Sequence, residues 1–185
     1  MKLLGRVRQV ILAVVLCSFV AAAESGIWLD VPFIKQAPEG CGAASIAMIM
    51  QYWSSVDGQP SSDRADVPSI LRSLHSPTAH GVYSSAMLQY LQQQGFRTFS
   101  FSGDWNMLQQ HLKKGRPLII AIKPSAMDRT LHYVVVAGMD SQREIIMVND
   151  PAERKLRKLD RATFEKQWEG TQRWTLLALP QPPGH

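Results

Sequence analysis

The chain has 185 residues and a formal net charge of +5, but three of its 20 basic residues and none of its 15 acids lie in the first 23 positions. The 162 residues that follow carry a balance of +2 and are enough for one domain with a real core. That balance argues against a nucleic-acid partner: Lys113-Lys114 and Arg154-Lys155 with Arg157-Lys158 form no basic stripe and read as solvated faces. There is no internal repeat, no coiled-coil heptad and no later membrane segment.

Lys2, Arg6 and Arg8 open the chain, residues 10–23 are apolar, and the last three of these are alanines. This charged, apolar, small-residue order is that of a secretory signal, with cleavage expected after Ala23. The apolar run is too short to favour a spanning helix; an uncleaved anchor is the alternative. Cys17 falls within the signal. Leu16 before it and apolar sequence after it make it a poor lipoprotein site. The expected organisation is a signal peptide over 1–23, one domain over 24–180 and a loose Pro-rich tail over 181–185. The expected location is periplasmic or secreted, with no stable membrane insertion after cleavage.

Residues 27–34 alternate loosely around Pro32 and suit an extended lead-in or edge strand. Residues 41–53 are rich in Ala, Met and Ile and apolar nearly all round, which predicts a buried helix. Gly40 and Gly42 bracket its first residue and allow close backbone approach. Residues 54–66 read as a surface loop, 67–74 as a short helix and 76–81 as another loop. A helix over 84–94 is capped by Ser84 or Ser85 and stopped by Gly95, and 96–101 alternate as a strand. Asp104 begins a helix that runs to Lys114 and ends at Gly115. The apolar run within 117–122 is a buried strand. Residues 131–137 and 144–148 are two more strands around a Gly-Met-Asp-Ser-Gln-Arg turn. Asp160 caps a helix to Trp168, and 174–179 close as a strand. Helices come mostly first and an antiparallel sheet mostly later, an α+β order rather than βαβ alternation.

Once the signal is removed, Cys41 is the one cysteine left. Exported proteins that use cysteine structurally use it in pairs, so a lone cysteine is inert and buried, paired with another molecule, or reactive. Its place at a helix start favours the last reading, because unpaired N–H groups and the helix dipole stabilise a thiolate. His132 sits among apolar residues and needs a partner, and Asp150 lies where the next strand ends. Alone, each has a blander reading, a satisfied core histidine and a turn before Pro151. The hairpin links them. If Met139 pairs with Arg143 across an odd turn, the register carries on to His132 opposite Asp150, within side-chain reach. An even turn puts them on opposite faces. Such a Cys–His–Asp set gives a nucleophile, a base and an orienter. The Gln36 side chain and the Cys41 backbone N–H are candidate donors to an oxyanion.

The strings Asp30-Val-Pro-Phe-Ile-Lys-Gln36, Cys41-Gly-Ala-Ala-Ser-Ile-Ala-Met48, His132-Tyr-Val-Val-Val-Ala-Gly138 and Asn149-Asp150-Pro151 resemble the double-glycine-leader cysteine peptidases. These are family thirty-nine of the cysteine peptidases, the bacteriocin-processing enzymes, together with their stand-alone relatives. The resemblance spans nearly all of residues 28–179. It implies a papain-like fold with N-terminal helices packed on a C-terminal antiparallel sheet. It also implies Cys41 as nucleophile, His132 as base, Asp150 as orienter and Gln36 in the oxyanion hole. Two departures stand out: transporter-linked members are fused cytosolic domains whereas this chain reads as exported, and Gln36 precedes Cys41 by five positions where six are expected.

The leading expectation is an exported cysteine peptidase acting on a peptide or protein substrate without a cofactor. The alternatives are a catalytically silent peptide-binding module on the same fold and an acyl transferase of transglutaminase type. A dedicated partner protein is left open. No metal is expected: His75 and His80 share a loop, but no cysteine pair or His-Glu-x-x-His string supports zinc. His111 and His185 read as surface residues. The loops 54–66, 75–83 and 123–130 are the expected walls of a cleft beside Cys41, while Trp53, Tyr83 and Trp105 each read as core.

Overall fold

The computed structural model describes residues 26–58, 65–125, 127 and 130–181. The expected signal peptide, most of the expected tail and part of the 54–66 loop lie outside the described residues.

Helix α1 (Cys41–Val56) is three residues longer than its apolar pattern suggested. Residues 42–50 are all buried, as befits a helix with no polar face. Helices α2 (Val67–Leu74) and α3 (Ser84–Gln93) pack beside it. The start of α3 carries no side-chain cap; its N-cap residue is Tyr83 rather than a serine. Helices α4 (Trp105–Lys113) and α5 (Arg161–Glu169) begin as expected, with Asp104 accepting from the Met107 N–H at 2.8 Å and Asp160 from the Thr163 N–H at 2.9 Å.

The main sheet is antiparallel throughout. Its spatial order is β4 (Phe96–Ser102), β9 (Trp174–Pro180), β5 (Leu118–Ile122), β6 (His132–Asp140), β7 (Ile145–Asn149) and β8 (Arg157–Asp160), and a short β1 (Ile27–Trp28) pairs with the far end of β6. β8 was not anticipated, since its Arg-Lys start reads as solvated surface. Residues 75–82 form a small hairpin, β2 (His75–Ser76) and β3 (Gly81–Val82), around a single 3-10 turn instead of a plain loop. Helices lie on both faces of the sheet. Tyr133, Val135 and Ala137 share a core with α1, α2 and α3, while Val134 and Val136 share one with Leu108 of α4 and Phe164 of α5.

The β6–β7 register departs from the expected one, and the departure is instructive. The turn spans residues 141–144, so Asp140 pairs with Ile145 and Met139 with Ile146, an even turn. A one-residue bulge then falls between Val136 and Gly138, after which Val136 pairs with Val148 and Val135 with Asn149. The bulge flips the alternation: Met139 joins Val134 and Val136 in one core, although its number has the other parity. Continued one step, the register sets Asp150 opposite Val134, two residues along from His132 and in phase with it. Gly138 permits this kink. A Cβ there would meet the Ile27 carbonyl at 2.8 Å and the Met147 methyl at 2.9 Å.

Candidate active site

Cys41 is the first residue of α1, half-buried and free. Its N-cap, Gly40, offers no side-chain cap, so the first-turn N–H groups are left for other acceptors. Gly40 is required by a tight turn in which its own N–H donates to the Ala37 carbonyl at 2.9 Å; a Cβ would stand 2.9 Å from that same oxygen. At Gly42 a Cβ would meet Val82 at 3.0 Å, so the missing side chain lets β3 close against the first turn of α1.

His132 opens β6, and its Nε2 lies 2.7 Å from Asp150 Oδ1. The ring also interacts with the Cys41 side chain. With Nε2 taken by Asp150, Nδ1 is the nitrogen left to face the thiol. Burial alone would lower the pKa of His132, but its hydrogen bond with Asp150, its interaction with Cys41 and the charges of both carry it up to about 9. The Asp150 carboxylate is buried. Burial works to raise its pKa, yet the hydrogen bond and charge of His132, the Ala152 N–H and Arg157 hold it below the usual carboxylate range.

Arg157, in β8, is a residue that the sequence reading missed. Its Nη1 donates to Asp150 Oδ2 at 2.9 Å and also reaches Glu153 Oε1 at 3.0 Å. Asp150 Oδ1 meanwhile accepts from the Ala152 N–H at 3.1 Å. Both carboxylate oxygens are therefore fixed. The run of charge from Arg154 to Lys158 hid this, since only the turn that folds β8 back on β7 brings Arg157 inward. Replacing Arg157 with Met leaves the negative charge of Asp150 less neutralised, so His132 should titrate higher than in the native protein. An NMR titration of the His132 ring reads this directly, and an unchanged or lowered value would show that Arg157 has no electrostatic hold on the pair.

Asn149 was also passed over as a structural residue. Fully buried, it donates through Nδ2 to the Val31 carbonyl at 3.0 Å and accepts at Oδ1 from the Leu156 N–H at 3.0 Å. The Gln36 N–H donates to the Pro151 carbonyl at 3.0 Å. These bonds tie the lead-in segment that carries Gln36 to the strand end that carries Asp150. The Gln36 Oε1 is buried without a hydrogen-bond partner.

A cleft of about 360 Å³ opens beside Cys41. Residues 78–84 line it together with Thr130, Leu131 and Tyr133. Two of the three expected loops thus contribute, and no described residue of the 54–66 loop lines it. Tyr83 is half exposed at the rim rather than in the core, and its hydroxyl shares a hydrogen bond of 2.9 Å with Thr78. Trp105 is buried and Trp53 partly so, as expected of core residues. His75 and His80 flank one carboxylate, Glu39, at 2.7 and 3.5 Å. His111 is half-buried against Phe101 rather than a plain surface residue, and burial lowers its pKa.

Residues 28–175 match the model of the Peptidase_C39 like family. The transport/processing ATP-binding protein ComA of Streptococcus pneumoniae is 29% identical over 142 residues, which are 77% of this chain and 18% of that protein. The chain therefore spans under a fifth of the length of the curated relatives it matches. Among solved structures, a candidate C39-like peptidase from Bacillus anthracis superposes with a TM-score of 0.65 at 19% identity, over 86% of this chain and all of that one. A double glycine motif protease from an AMS/PCAT transporter, in complex with the leader peptide, gives 0.61 at 22% identity, over 83% and 94%. Xylellain, a cysteine protease from Xylella fastidiosa, gives 0.53 at 13% identity, over 88% of each chain. With a family model that spans most of the sequence and this shared architecture, the chain belongs to the Peptidase_C39 like family and has the papain-like fold of cysteine peptidases.

Proposed function

We propose that the protein is an exported peptidase that hydrolyses peptide or amide bonds through Cys41, His132 and Asp150. The observation that carries this reading is the relay itself: a half-buried thiol at a helix start, a histidine that interacts with it, and a fixed buried carboxylate 2.7 Å from that histidine. The leader-peptide complex of the transporter protease supports a peptide as the class of substrate. The order of residues in positions 1–23 supports export to the periplasm or beyond.

In this mechanism His132, protonated through neutral pH, stands beside the Cys41 thiolate. The sulfur attacks the scissile carbonyl carbon and its oxygen takes the negative charge. The Cys41 N–H and the Gln36 side-chain amide stabilise that oxyanion. His132 passes its proton to the leaving nitrogen, the C–N bond breaks, and the acyl group remains as a thioester. Water then gives a proton to His132 and its oxygen to the acyl carbon. The C–S bond breaks, releasing a carboxylic acid and restoring the pair. Asp150 keeps the imidazole oriented with Nδ1 toward sulfur.

Product analysis with a mixture of capped peptides, with and without an added primary amine, tests this reading. Two fragments with a new carboxyl terminus are expected. Amide formation with the added amine would instead indicate the transglutaminase-type transferase, and binding without turnover the silent module. Gln36→Ala should lower turnover on the order of a hundredfold with a smaller change in KM; a near-neutral variant would remove Gln36 from the oxyanion hole.

A further inference from the structure

Among the described residues that line the cleft beside Cys41 there is no Asp, Glu, Lys or Arg. Its one histidine, His80, already faces Glu39. Two of the few large apolar side chains exposed among the described residues, Tyr83 at 50% and Leu131 at 40%, both line it. Exposed apolar groups that converge on a concave site mark a binding surface rather than ordinary surface scatter. Tyr83 is held in place by its bond to Thr78. Tyr133, which also lines the cleft, is buried and so holds a fixed position. At about 360 Å³ the space lies at the small end of ligand pockets. It suits one bulky side chain with its backbone. A glycine would leave both side chains wet.

Building on the hydrolase reading, we propose that this cleft is a specificity pocket for a bulky, uncharged side chain within two residues of the scissile bond, packed against Tyr83 and Leu131. A charged side chain would lose its hydration there with no opposite charge among the described lining residues to meet it. Glycine would gain nothing from the apolar walls. The preferred substrates are therefore peptides with Leu, Ile, Met, Phe or Tyr beside the cut, rather than peptides with paired glycines there.

Two measurements test the pocket. In the first, the native protein cleaves a randomised peptide mixture and the cut sites are read by mass spectrometry. Bulky uncharged residues should be enriched at least tenfold over glycine, aspartate and lysine within two positions of the cut. Tyr83→Ser and Leu131→Ser should each reduce that ratio severalfold. In the second, capped peptides that differ only in a central Leu, Phe, Gly, Asp or Lys are titrated into the Cys41→Ala protein, where binding is scored without chemistry. The same order is expected, with Leu and Phe at least tenfold tighter than Gly. Glycine equal to or better than leucine in either measurement, or a profile indifferent to both serine variants, would overturn the pocket. If nothing is cleaved, the hydrolase reading fails while the binding order still decides the pocket.

Discussion

Asp150→Asn is expected to lower kcat on the order of a hundredfold or more while changing KM little, because the carboxylate orients His132 rather than touching substrate. The same variant should show an independent signature in the His132 ring. In the native protein the Asp150 bond and charge outweigh burial and carry that ring to about 9. With the carboxylate gone, burial remains and the Arg157 guanidinium, which had been paired with Asp150, keeps only the half-exposed Glu153 as a counter-charge. Both oppose the charged imidazole, so its titration should fall well below 9. Asp150→Asn and Arg157→Met therefore move the ring in opposite directions. A structural effect alone would not produce that pattern.

Stability follows from the same shifts. His132 titrates near 9 when folded and near its ordinary value of about 6.5 when unfolded. Its raised pKa stabilises the fold fully below about pH 6.5, and that contribution is lost as pH rises through 9. The pKa of Asp150 is depressed, so its contribution is present above the usual carboxylate range and is lost as pH falls. The urea midpoint should be highest from mildly acidic to neutral pH and decline toward pH 9. Asp150→Asn should flatten that decline.

Cys41→Ala should abolish hydrolysis altogether, because no other group in the cleft can form the thioester. The fold should survive. Cys41 is half-buried at the first helical position and makes no disulfide, and alanine suits a helix at least as well. His132 should then titrate below 9 but stay above the value in Asp150→Asn, because only the Cys41 contribution has gone. Substantial remaining turnover in Cys41→Ala would reject Cys41 as the nucleophile.

Much of the site was legible in the residues because each chemical role leaves a local mark. Cys41 follows a glycine at the start of an apolar helix, Asp104 and Asp160 cap helices, and β5 is an unbroken apolar run. The relation between His132 and Asp150 was harder to read. An odd turn was required to bring them into phase, yet the turn is even and the bulge at Gly138 restores the phase. A bulge is set by packing, here by Ile27 and Met147 crowding one Cα, and its one-residue slip leaves the alternation of a fully apolar strand unmarked. β8 was missed for a related reason. Arg157 and Lys158 look like solvated charge until the strand pairs with β7 and turns Arg157 onto a buried carboxylate. Tyr83 was read as core, but it stands at the rim, where its hydroxyl meets Thr78.

The most direct test of the Cys41–His132 pair is the rate at which iodoacetamide labels Cys41 at pH 6, read on the Cys41 peptide by mass spectrometry in the native protein and in His132→Ala. If His132 stands protonated beside the sulfur, the native protein should label at least tenfold faster than the variant. Equal rates in the two proteins would contradict an assembled pair, and with it the reading of this site as a peptidase centre.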